Sequence, residues 1–162
     1  MNALRDSRLC IRFASQAVFD HCILAASFRY GDELPPDLPP VLEVFYSPTC
    51  TPCRLELPAV AELATEKGLR LRVVILDQEE RARAELRVVS PALEAAAEGS
   101  VEDPRAVLRE AGNQEGILPY ARSLAPAGDT CAKWSGRLTV QRGRALVAAC
   151  TRLIASPRRS RS

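Results

Sequence analysis

The chain has 162 residues, 47% of them hydrophobic and 26% charged, with a net charge of +2. That is the make-up of a globular protein with one core, and it excludes a low-complexity, collagen-like or disulfide-dense scaffold. The positive excess comes from the last twelve residues, TRLIASPRRSRS, with four Arg and no acid, whereas residues 41–150 carry 14 Lys/Arg against 15 Asp/Glu. With no basic stripe or aromatic platform beside it, this tail is read as solvated and disordered, and nucleic-acid binding is not expected.

The first segment, MNALRDSRLCIRFASQAVFDHCILAASF, has a basic start and an apolar stretch ending in small residues, the outline of an export signal. Asp20 and His21 interrupt that stretch, so three readings stay open: a poor export signal, an incorrectly chosen start site, or an amphipathic helix. No apolar run approaches the roughly 18 residues of a membrane span. GDELPPDLPP, with four prolines and three acids, cannot continue a helix or a central strand and marks a boundary. We therefore expect an N-terminal segment over 1–40, a folded domain over 41–154 and a tail over 155–162.

VLEVFY (41–46) is β-branched and aromatic and reads as a strand. PCRLELPAVAELATEK follows with helical spacing. Leu55, Ala59, Leu63 and Ala64 fall near one face, Pro52 suits the first turn, Gly68 suits the stop, and Pro58 stands inside. LRLRVVIL (69–76) is the next strand, and the connection is long enough for a parallel crossover. Residues 78–98 read as helix, restarted at Ser90-Pro91 and ended by Gly99. Asp103-Pro104 starts another helix and Gly112-Asn113 stops it. YARSLAP, AGD and TCAKWSG read as strand, turn and strand, and residues 137–154 as a closing helix weakened by Gly143.

Of the six cysteines, only Cys50 and Cys53 have a telling spacing. Cys50 closes a strand-to-helix turn, where unpaired N–H groups and the helix dipole favour an anion. Thiolate is the reactive form of cysteine, and at such sites its pKa falls from about 8.5 to anywhere between about 3.5 and 7.5. Cys53 lies one turn on and is expected to be more buried, so the first sulfur can attack a disulfide and the second resolve it. Thr51 and Pro52 shape the turn between them. Half a zinc site is the bland alternative, but zinc needs four ligands and the one histidine, His21, precedes the domain. A purely structural disulfide is the other alternative. Cys131 and Cys150 read as small buried apolar residues, Trp134 and Tyr120 as packing residues and His21 as incidental, and no role is assigned to Cys10 or Cys22.

Two motifs go further. CTPCRLELP holds a cysteine pair, a basic residue, a glutamate and a helix proline. GNQEGILPYARSLAPAGDTCAKWSGRL holds a Gly-Asn, a Leu-Pro-Tyr entering a strand, a turn and a second strand. In these, over about 110 residues, the chain resembles the thioredoxin superfamily, and within it the TlpA/ResA-like thiol–disulfide oxidoreductases. The resemblance implies an α/β thioredoxin fold, a central mixed sheet with helices on both faces. It implies Cys50 as nucleophile, Cys53 as resolving thiol, Glu56 beside the buried cysteine, and Pro119 as a cis-proline with Leu118 offering its backbone to a client. It implies reduction of protein disulfides outside the cytoplasm, in the periplasm or a similar compartment, by a monomer without cofactor or metal. Clients would be apocytochrome c or copper-site thiols, recharged by a membrane thiol donor. Disulfide-introducing oxidation and a metal or copper carrier are the rival readings. The chain departs from the family in several places. Thr49 stands where Trp is usual before the first cysteine. Val44 occupies the position of the acid that thioredoxin buries under its cysteines, and Glu43 should face the other way. A strand between the middle helices is hard to find in EGSVEDP, and the family's N-terminal hairpin is not evident before Val41.

Overall fold

The computed structural model describes residues 38–155, so the expectations for the N-terminal segment up to residue 37 and for the tail from residue 156 lie outside it. Five strands form one sheet. They are β1 (Val41–Tyr46), β2 (Arg70–Ile75), β3 (Ala97–Glu98), β4 (Tyr120–Leu124) and β5 (Thr130–Ser135), in the order β3-β2-β1-β4-β5. β1 pairs parallel with β2 and antiparallel with β4. β1 is central and covered on both faces, so VLEVFY runs almost wholly apolar instead of alternating.

The helices are α1 (Thr51–Ala64), α2 (Glu79–Val89), α3 (Pro91–Ala95), α4 (Pro104–Glu110) and α5 (Val140–Ala155). Leu42, Val44 and Tyr46 pack with α1, α2, α3 and α5 residues in the larger core. Phe45, Val74, Leu76 and Tyr120 pack with α4 residues on the opposite face. The sheet is mixed and helices cover both sides, as expected.

Several expectations need correction. The buried face of α1 is Cys53, Glu56, Leu57, Val60 and Leu63, while Leu55 is 60% exposed. The apolar count put Leu55 inward because it did not allow that a carboxylate, Glu56, would take the core-facing position. α1 also stops at Ala64, capped by Thr65. The helix expected up to Glu98 ends at Ala95, and Ala97–Glu98 pair with Val73 and Val74 as β3. The closing helix starts at Val140. Gly143, read as a weakness, is a close-approach point: a Cβ there would lie 2.4 Å from Leu63 Cδ1.

Cys131 and Cys150 are not independent apolar fillers but a disulfide, with Cα atoms 5.1 Å apart. It ties the outer strand β5 to α5 at the end of β5 farthest from the Pro119–Ser135 side of the hairpin. Closing a loop of this length restricts the unfolded chain by about 3 kcal/mol. Replacing both residues with Ala is therefore expected to lower unfolding stability by about 3 kcal/mol. Denaturant titration checks this, and an unchanged midpoint would refute a stabilising role.

Candidate active site

Cys50 and Cys53 form a disulfide, Cα–Cα 5.3 Å, at the start of α1. The local chain explains the placement. β1 ends at Tyr46, and Cys50 N–H donates to Ser47 O (3.1 Å) in a tight turn. The Ser47 hydroxyl shares a hydrogen bond with Thr49 Oγ1 (2.7 Å) and donates to the Asp77 carboxylate (3.0 and 3.1 Å), which fixes the turn to the loop after β2. Cys50 has extended backbone and caps α1 with its own sulfur, Sγ accepting from Cys53 N–H at 3.2 Å. The helix N-terminus therefore already directs a donor at the sulfur that would carry the negative charge in the reduced protein. Cys50 is half-buried, while Cys53 is fully buried in the larger core. Thr51 and Pro52 are both exposed, with Pro52 in the first turn, where its missing N–H leaves no bond unmade.

Glu56 sits one turn beyond Cys53 on the same buried face of α1, at 2% exposure. Its Oε2 accepts from Leu138 N–H at 2.6 Å, a bond reaching 82 residues along the chain into the loop after β5. Burial pushes its pKa up to about 7, against the pull of the Leu138 N–H and the Arg137 charge. Val44 lies in the same core as Cys53. Glu43 faces the other side of the sheet, paired with Arg72 and Arg122 from the flanking strands, so it does not reach the cysteines.

The Leu118–Pro119 peptide is cis. Register puts Phe45 opposite Tyr120, so Pro119 falls next to the end of β1 that feeds the cysteine turn. Pro119 O accepts from Gly136 N–H (2.8 Å). Buried Asn113 clamps the approach, donating to Ile117 O (2.7 Å) and accepting from Ile117 N–H (3.3 Å). The Asn of GNQEGILPY was the sequence signal for this clamp, although its partner was not readable. Leu118 is half-buried between the two cores.

Sequence reasoning missed the network beside the turn. Tyr46 donates to Glu85 Oε2 (2.6 Å), and Arg81 (3.0 Å) and Arg54 (3.4 Å) converge on the same carboxylate. Burial and then Glu85 push the Tyr46 phenol well above its ordinary pKa, so it stays a donor. The Tyr46 hydrogen bond in turn holds Glu85 below the usual carboxylate range. Among the described residues no cluster of His, Cys, Asp and Glu could hold a metal ion.

This is the thioredoxin fold, with a cysteine pair at the start of the helix after the central strand. No family model and no curated protein matches the chain. Solved structures do. A thioredoxin-related protein from Neisseria meningitidis serogroup B is similar at 21% identity and TM-score 0.58, over 70% of this chain and 86% of that one. The protein dsbF of Mycobacterium tuberculosis, solved in mixed oxidised and reduced forms, is similar at 19% identity and TM-score 0.52, over 67% and 81%. A secreted disulfide oxidoreductase of the same organism, homologous to E. coli DsbE, reaches 11% and 0.50, over 72% and 84%.

Proposed function

We propose that the protein is a thiol–disulfide oxidoreductase that reduces disulfides of client proteins outside the cytoplasm. The observation that carries this reading is the bonded Cys50–Cys53 pair at a helix N-terminus, Cys50 half-buried and Cys53 fully buried. In the reduced protein the Cys50 thiolate attacks one sulfur of a client disulfide. The client S–S bond breaks, its departing thiolate takes a proton, and a mixed disulfide remains. Cys53 gives its proton to Glu56 and attacks the Cys50 sulfur. The client leaves with its second sulfur as a thiol, and the Cys50–Cys53 bond carries the oxidising equivalents. A dithiol donor then restores the pair, and the resemblance names a membrane-bound one. Leu118 and Pro119 would offer their backbone to an extended client segment, a role supported by their place beside the end of β1 that leads into the turn.

Thiolate stabilisation supports the reducing direction. Thr51 and Pro52 bring no charge between the cysteines, and Arg54 is drawn to Glu85. The groups seen to favour a Cys50 thiolate are the helix terminus and the Cys53 N–H, with no added positive charge, and the less a thiolate is stabilised the more reducing the pair. The Cys131–Cys150 disulfide fits an oxidising compartment. Among the described residues no helix is long and apolar enough to cross a membrane.

Insulin reduction with dithiothreitol as the regenerating thiol tests the proposal, and the protein is expected to accelerate insulin precipitation. Catalysed oxidation of reduced ribonuclease in a glutathione buffer, without insulin reduction, would reverse the direction. Stoichiometric copper or zinc on protein purified reduced would favour the carrier reading.

A further inference from the structure

A groove of about 500 Å³ opens beside the cysteine turn, between the outer face of α1 and the C-terminal half of α2. Thr51, the residue between Cys50 and Pro52, lines it. Five large apolar side chains are conspicuously exposed among the described residues, and three of them stand here: Leu55 (60%), Val88 (87%) and Val89 (41%). Exposed apolar surface concentrated in this way marks a contact site, whereas scattered single residues do not. The polar side of the groove is held by Glu85, anchored to the Tyr46 hydroxyl, with Arg54 and Arg81 both drawn to that one carboxylate. Both guanidiniums face the one Glu85 carboxylate and are about half exposed, and Arg54 lines the groove itself.

We propose that this groove seats a bulky apolar side chain of the client polypeptide, close in sequence to the cysteine under attack, with an acidic client residue beside it meeting Arg54. The occupant is a polypeptide segment because Thr51, which lines the groove, directly follows Cys50: a chain whose sulfur is bonded to Cys50 is brought beside it. The groove is also pre-formed, since the Tyr46–Glu85 bond ties α2 to the end of β1. This specificity determinant rests on the thiol-exchange reading above.

The test uses synthetic peptide dimers linked by one cystine, identical except for Leu-Asp or Ser-Ser placed three residues after the cysteine. The intact reduced protein is expected to reduce the Leu-Asp dimer about ten-fold faster in kcat/KM, the scale set by burying part of one leucine. That ratio is expected to fall close to one in Val88→Asp. It is read within each variant, so a general change in exchange rate cancels. In parallel, a cysteine-free Leu-Asp peptide is titrated into the oxidised protein, and methyl NMR shifts are expected at Leu55, Val88 and Val89. This arm does not depend on catalysis: shifts without any reduction would sink the exchange reading and leave the groove standing. Equal rates for the two dimers in the wild type, or a preference that survives Val88→Asp, would overturn the groove. So would shifts confined to other residues. Self-association abolished by Val88→Asp, with no peptide preference, would overturn it in favour of a contact between copies.

Discussion

Replacing Cys50 with Ala is expected to bring insulin reduction down to the uncatalysed background while the protein stays folded. The two cysteines do not share the work equally. Cys50 is the half-buried one, whereas Cys53 is sealed in the core and cannot meet a protein client first. Without Cys50 no mixed disulfide forms, so no later step can rescue turnover. Relative to the reduced wild type, in which the Cys50–Cys53 bond is already open, the structural cost is small. The Cys50 sulfur caps α1 through the Cys53 N–H, and losing a cap costs roughly 1 kcal/mol. Turbidity kinetics and a thermal melt on the same sample separate the two effects. Wild-type-like turnover in a folded Cys50→Ala protein would remove the basis of the proposed chemistry.

Glu56→Gln is expected to have the second-largest effect, with opposite signs on rate and stability. The carboxylate is buried one turn from Cys53 and, with its pKa near 7, can take a proton and return it at neutral pH. Gln keeps the shape and can still accept from Leu138 N–H, but it carries no proton. Exchange should slow by roughly ten-fold or more, and the part of the pH–rate profile that rises through about pH 7 should flatten. Stability goes the other way. A carboxyl whose pKa is raised from 4.5 to about 7 on folding binds more protons folded than unfolded. Its contribution is therefore complete below pH 4.5 and lost as pH rises through 7. Above that, burying the charged form costs on the order of 3 kcal/mol. Glu56→Gln should be the more stable protein in alkaline buffer and show little difference in acid. Paired denaturant titrations at two pH values check the stability half. A pH–rate profile identical to the wild type would refute the proton-carrier role.

The run from Val41 to Leu76 was legible because each signal there is local. A β-branched strand, a proline in a first helical turn and a second apolar strand need no distant partner to be recognised. The cysteine pair was legible for the same reason, since its spacing and its place before a helix are both sequence properties. β3 was not, because Ala-Glu has no strand preference of its own and pairs only where β2 presents an edge. Leu55 was misplaced because periodicity counts apolar residues and cannot foresee that a distant N–H holds Glu56 on the core side. Leu138 supplies that donor from the far end of the hairpin, and it makes the buried carboxylate tolerable. The Cys131–Cys150 bond joins a strand to a helix across 19 residues, and nothing in either local sequence announces the pairing. The Tyr46–Glu85 network escaped notice in the same way, its two partners standing 39 residues apart.

In the proposed exchange Cys50 is the sulfur that engages a client and Cys53 the one that releases it. Trapping with Cys53→Ala tests this division most directly. This variant can take the first step but not the second, so it is expected to accumulate disulfide-linked client adducts that dissolve in dithiothreitol. Peptide mass spectrometry should map every adduct to Cys50. Absence of adducts, or adducts carried on Cys131 or Cys150 with Cys50 free, would contradict the account.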